Sequence, residues 1–232
     1  AIIINGVSST TVVDSYVQGS TGVLVTNSTG TVVGGMIIIA TGTGSSALWA
    51  GDGSVNLTGS SATITAGFYG YGIRSENMGG LIRFTSNTIS AGAAGVFIGT
   101  QAANTQVWIG SMTVEVAGRG ALGEVSAMRF DGLRTGATVY NSFVIARIGV
   151  SGTPTVYALR LLSTNGILIK HSRFSMPDTL AAANGSVMAS FSNAVKTELI
   201  NNDLYSERYS GTALNRLLEV VNVSTGVKVT NN

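Results

Sequence analysis

The chain has 232 residues, enough to bury a sizeable core, and only 10% of them are charged against a usual quarter, while Gly (31 copies) is abundant beside Ser, Thr, Val and Ile. A net charge of +2 with no run of basic residues gives no support to nucleic acid as a partner. The absence of Cys excludes disulfide scaffolds, thiolate zinc sites and cysteine nucleophiles, and the longest apolar run, residues 36–40, is far too short for a membrane-spanning helix.

In chain order, short strand-like segments recur around a small or Asn anchor, with apolar residues three before it and two after it. They centre on Ser15, Gly35, Gly67, Asn87 and Met112. Beyond Gly136 the recurrence becomes strict, and the anchors Ser142, Ser172, Asn202 and Asn232 lie 30 apart. The full set of spacings reads 20, 32, 20, 25, 30, 30, 30 and 30, so nine turns bound eight complete coils. A fixed period of this size with β-type residues in every copy is the mark of a stacked solenoid. One all-β domain over residues 1–232 is expected, with about eight to nine coils of 20–32 residues. It reads as a piece of a longer polypeptide, because solenoid ends need covering.

Alternation along a strand assigns the inward faces. Five before the anchor come Ala62, Ile82, Val107, Ala137, Ile167 and Val227. Three before it come Val12, Val32, Ile64, Phe84, Ile109, Val139, Ile169, Leu199 and Val229, and two after it Val17, Ile37, Tyr69, Ile89, Val114, Val144, Phe174 and Leu204. A further strand precedes each turn, seen at residues 22–25, 95–98, 127–130, 157–161, 187–191 and 217–221. Gly136, Gly166 and Gly226 mark a corner where positive φ is needed, and the two prolines, Pro154 and Pro177, fall on the irregular third side of the coil.

The spacing, and above all residues 197–204 with Asn201 and Asn202 at the bend, resembles the right-handed parallel β-helix of the pectin-lyase-like superfamily, with its stacked Asn turn. Within that superfamily the long Gly/Ser/Thr-rich coils look most like the shaft or receptor-binding region of bacteriophage tailspikes. The resemblance implies a virion or extracellular rod that binds a host surface, associates as a homotrimer and contacts a cell-surface glycan. A polysaccharide depolymerase on the same fold and a secreted bacterial adhesin are the alternatives. The pectate-lyase pattern of calcium-binding Asp with a catalytic Arg is not recognisable.

Candidate chemistry is sparse. Glu115, Glu124 and Asp131, near Arg119, Arg129 and Arg134, are the one cluster where acid and base groups come together in sequence, as a glycosidase requires. Stacking instead pairs Asp203 with Arg173, and Glu198 with Lys228, as surface ion pairs. The single His171 shares its column with Asn141, Asn201 and Asn231, which points to a turn role. One His without Cys leaves no ligand set for a transition metal, and no cofactor is implied. Outward apolar positions carry more weight: Tyr16, Met36, Phe68 and Phe143 follow their anchors, and Trp108 and Tyr140 precede theirs on adjacent coils. Exposed aromatics of this kind stack on glycans or become buried between parallel rods. A column of Thr11, Thr31, Thr63 and Thr138 has the look of an ice-binding array, but Arg83, Trp108 and Leu168 interrupt it.

Overall fold

The computed structural model describes residues 1–118, 124–148, 155–177, 185–206, 215–222 and 224–232. Among them there is no helix, and 26 strands build three parallel sheets of nine, nine and eight strands. Successive strands visit the first, second and third sheet in turn, so each circuit of the chain makes one coil of a parallel β-helix. Eight circuits have all three strands, and a ninth adds Asn215–Val221 and Lys228–Thr230. The pairing steps along the third sheet are Tyr16 to Ile37, Ile37 to Thr63, Thr63 to Thr88 and Thr88 to Thr113, then Phe143, Arg173 and Asp203. The expected 30-residue stacking of the second half therefore holds, with Val139, Ile169 and Leu199 in one column.

What fixes this register is the bend between the second and third sheets. The residue before the anchor is left-handed in every coil: Asp14, Gly35, Ser61, Ser86, Ser111, Asn141, His171, Asn201 and Asn231 have φ between 48° and 59°. Such a φ favours Gly and Asn and is tolerated by short polar side chains, which explains the composition of the column and the place of His171 in it. After the bend the anchor's backbone N–H points away from the sheets and into the core, where it needs a partner. The next coil supplies one wherever its own anchor is Ser or Asn. Ser172 N–H donates to Asn202 Oδ1 (3.0 Å), Ser142 N–H to Ser172 Oγ (3.1 Å) and Ala62 N–H to Asn87 Oδ1 (2.9 Å). Asn202 also donates its Nδ2 to the Ile169 carbonyl at 3.0 Å.

A second ladder of the same kind lines the corner between the first and second sheets. There Ser28 N–H donates to Ser54 Oγ, Met78 N–H to Gln101 Oε1 and Ala194 N–H to Ser224 Oγ. The same connection, on its way into the second sheet, has Gly136, Gly166 and Gly226 at φ 87°, 74° and 65°, as the sequence leads one to expect.

The first half corrects three details. The true anchors are Met36 and Ala62, not Gly35 and Gly67, so the steps are 21, 26, 25 and 25 residues rather than 20, 32, 20 and 25. Gly35 is itself the left-handed residue, and a slip of one position turns every side chain over. Hence Val33 and Ile38 are buried in place of Val32 and Ile37, while Met36, expected outside, is buried. Ala62 does not fit the sequence pattern of an anchor because the position three before it is Gly59, which is not apolar. A Cβ there would come within 2.8 Å of the Phe84 ring, so the ring from the next coil fills the glycine's share of the core. Ile64 consequently belongs two after the anchor, and Tyr69 is only half-buried on a connection. The Thr column dissolves too: Thr31 is buried and Thr63 lies on the third sheet.

Burial follows stacking. Ala189, Phe191 and Leu199 are buried in the eighth coil, whereas their register partners in the ninth, Leu218, Val220 and Val229, are exposed. Each buried side chain of this size contributes about 1.5–3 kcal/mol, and a coil obtains that burial from its neighbours.

Two tests address the bend. Asn202→Leu orphans the Ser172 N–H and the Ile169 carbonyl, and should cost about 1–3 kcal/mol for each orphaned group. Urea unfolding would show a lower midpoint at unchanged slope, and an unchanged midpoint would contradict the ladder's role. At the left-handed position, His171→Asn should leave stability equal or higher, whereas His171→Val should lose about 1–2 kcal/mol. Equal midpoints for the two variants would count against a conformational role.

Candidate functional site

The outward positions form columns as regular as the inward ones, and each sheet presents its own chemistry. On the first sheet, Arg74, Phe97, Arg129 and Arg160 are consecutive register partners. The Arg74 guanidinium lies 5.3 Å from the Tyr71 ring centroid and 5.9 Å from that of Phe97, and Arg129 lies 5.4 Å from Phe97 on its other side. Stacking Arg129 directly beneath Arg160 sets two like charges one strand spacing apart. Glu124 resolves the conflict, pairing with Arg129 at 3.0 Å through one oxygen and with Arg160 through the other. Asp131 takes the second Arg129 nitrogen at 2.7 Å. Burial pushes the Arg160 guanidinium below its usual value, with Glu219 acting the other way. Burial and then Glu219 raise the Tyr157 phenol.

These contacts place the acidic candidates. Glu124 and Asp131 share one strand, Glu124–Asp131, and both are held by Arg129. Glu115 projects from the third sheet instead, where it pairs with Arg147 at 2.7 Å. The structure thus unites two of the three and separates the third. Arg134 forms no ion pair among the described residues, and Arg119 lies outside them. No group of three or more His, Asp and Glu residues among the described ones is arranged to hold a metal.

The third sheet repeats the pattern of neutralised rungs. Arg173 meets Asp203 at 3.3 Å, as stacking requires, and lies between the rings of Phe143 (5.6 Å) and Tyr205 (5.5 Å). Tyr16 is exposed beside Ile37 at the other end of this face. Phe68 is on the connection from the third sheet to the first, at a hollow of about 310 Å³ lined by Ala, Gly and Ser and holding no titratable group.

The second sheet is different. Trp108, on Gln106–Gly110, is 44% exposed and stands in register with Arg83 on one side and Thr138 on the other. Tyr140, on Ala137–Tyr140, meets it edge to face at 6.4 Å between centroids. The tyrosine ring folds back across Gly110, its register partner, where a Cβ would come within 2.2 Å of Cζ. Gly110 is therefore the missed residue of this site, and a glycine inside a strand was the signal for it. Two shallow hollows flank the indole. One of about 280 Å³ is lined by Leu81, Arg83, Gln106, Trp108 and Tyr140. The other, of about 270 Å³, runs past Thr138 to Gly166 and Leu168. A flat aromatic surface edged by amide, guanidinium and hydroxyl groups can stack on an apolar ring face and hydrogen-bond to its polar rim.

No protein-family model matches the chain, and no curated protein matches it either. The fold assigns it to the parallel β-solenoids.

The bridging carboxylate invites a paired measurement. Glu124→Gln should leave Arg129 and Arg160 stacked without their shared counter-charge and lower the unfolding free energy by about 1.5–3 kcal/mol. Glu115→Gln, at an exposed pair, should cost at most about 1 kcal/mol. Equal losses in chemical denaturation would refute the bridging role.

Proposed function

We propose that this chain is a rigid rod that attaches to a cell-surface glycan, with saccharide rings stacking on the Trp108–Tyr140 face of the second sheet. The observation that carries the reading is the exposed edge-to-face pair, set by Gly110 and bordered by Arg83 and Gln106. A large aromatic ring left on the surface loses about 1.5–3 kcal/mol of available burial, and a pyranose offers it an apolar face with hydroxyls at the edge. The ion-paired state of Glu115, Glu124 and Asp131 supports binding over bond cleavage. The tailspike resemblance, an extracellular or virion location and a threefold bundle belong to the same reading. In such a bundle, association falls to faces other than the second sheet, the exposed Tyr16 and Ile37 among them.

Affinity electrophoresis in polysaccharide-containing gels tests it. Trp108→Ala should lose retention while the thermal midpoint stays within about 2 °C, since an exposed side chain contributes little to stability. Gly110→Ala, which displaces the Tyr140 ring, should weaken retention with Trp108 intact. Retention unaffected in both variants would overturn the assignment of this face.

A further inference from the structure

Cations are distributed unequally over the three faces. Arg74, Arg129, Arg160 and Arg216 on the first sheet, and Arg147 and Arg173 on the third, are all ion-paired. The other side-chain cations among the described residues, Arg83, Arg134, Lys170, Lys196 and Lys228, form no ion pair. All five belong to the second sheet or to the corners leading into it. Arg83 is the register partner of Trp108, and Lys170 that of Tyr140. Lys196 occupies the left-handed corner at φ 50°, and Lys228 opens the last strand of the sheet. From the fourth coil onward the carboxylates of this sheet and of the corners into it are Glu76, which is taken up by Arg74 at 2.7 Å, and Glu198, in register with Lys228 but forming no ion pair with it. On the other two sheets every described arginine is matched with an acid. Here five positive groups face water around an aromatic pair.

We propose that the ligand of this face is an acidic polysaccharide, a chain of carboxylate-bearing sugars laid along the rod axis from Arg83 towards Lys228. The proposal rests on the glycan-binding reading above and adds the charge of the ligand. Arg83 and Lys228 are five strands apart, roughly 24 Å at about 4.8 Å per strand. The aromatic pair sits near one end, Lys170 follows one strand beyond Tyr140, and Lys196 and Lys228 continue the line. The rings orient the sugar while the cations, spaced along it, select for a repeating negative charge. Thr138, Leu168 and Ile200 between them keep the track shallow, and Glu198, between Leu168 and Lys228, is the one acid along it.

The test uses the whole chain with alginate, hyaluronan and polygalacturonate, each beside its carboxyl-reduced neutral form, and a single-stranded oligonucleotide as a charge control. At least one acidic polymer should bind about tenfold more tightly than its neutral form and weaken as salt rises from about 0.05 M to about 0.5 M. The variant R83Q/K170Q/K196Q/K228Q should abolish that preference and leave the residual neutral binding, while Trp108→Ala reduces binding to both forms. Equal affinity for acidic and neutral forms would overturn the charge assignment and leave the stacking face standing. Absence of binding to all six polymers would overturn both. Oligonucleotide binding as tight as the best polysaccharide, and indifferent to Trp108→Ala, would show a general polyanion surface and overturn the proposal too.

Discussion

Everything in this molecule depends on a backbone N–H that has nowhere else to go. A coil that turns sharply between two sheets must place one residue in the left-handed region, and the amide that follows is then directed at the core axis instead of at a neighbouring strand. An unpaired buried amide is costly, and the side chain in position to receive it belongs to the equivalent residue of the next coil. The anchor is thus Ser or Asn through much of the chain, and the Ser172, Asn202 and Asn232 hydrogen bonds run in series up the rod. Hydrophobic burial supplies most of the energy, but it tolerates a register slip. The inward ladder does not, because a displaced coil strands a donor wherever the next anchor is Ser or Asn.

Vertical register has an electrostatic consequence. Columns that repeat at one strand spacing bring like residues together unless the sequence alternates, so a cation in one coil constrains the next. The first and third sheets satisfy this with rungs that neutralise one another: an aromatic between Arg74 and Arg129, a carboxylate shared by Arg129 and Arg160, an acid above Arg173. The second sheet follows another rule. Its cations are spread widely along the sheet: Arg83 neighbours Trp108, Lys170 lies between Tyr140 and Ile200, and Lys228 alone has an acid, Glu198, as its register partner. Positive charge spaced in this way remains available to a ligand.

The sequence discloses the second half of this architecture more fully than the first, for a physical reason. Constant 30-residue steps make equivalence visible without knowledge of the bend, so the Arg173–Asp203 pair and the column of Val139, Ile169 and Leu199 follow by counting. Unequal steps demand that the bend be recognised chemically, and there Gly35 misleads, because a glycine satisfies the left-handed position and resembles an anchor equally well. Gly59 conceals a core position by leaving it to Phe84 of the next coil, a complementarity of large and small that no single-coil pattern reveals. The polar ladder of Ser28, Ser54, Gln101 and Ser224 is hidden for a related reason: three of its members are serines in a serine-rich chain, and what marks them is the amide each accepts from another coil. Trp108 and Tyr140 were legible as outward aromatics. That they touch depends on Gly110, a relation between coils and not between neighbours in sequence.

A site on such a surface works differently from one in a cleft. Strands of a parallel sheet cannot close over a ligand, and the hollows beside Trp108 are shallow, so affinity cannot come from enclosure or from excluding water around one reacting bond. It must come from repetition, with each strand adding a modest contact at a fixed interval and the rigid ladder beneath removing the entropy of arranging them. A ligand that is itself periodic can use every contact at once, whereas a small molecule reaches only one or two. The geometry that makes the rod stiff therefore favours polymers over small molecules as ligands of the face proposed above, where the Trp108–Tyr140 pair would set the position along the rod at which such a polymer is gripped.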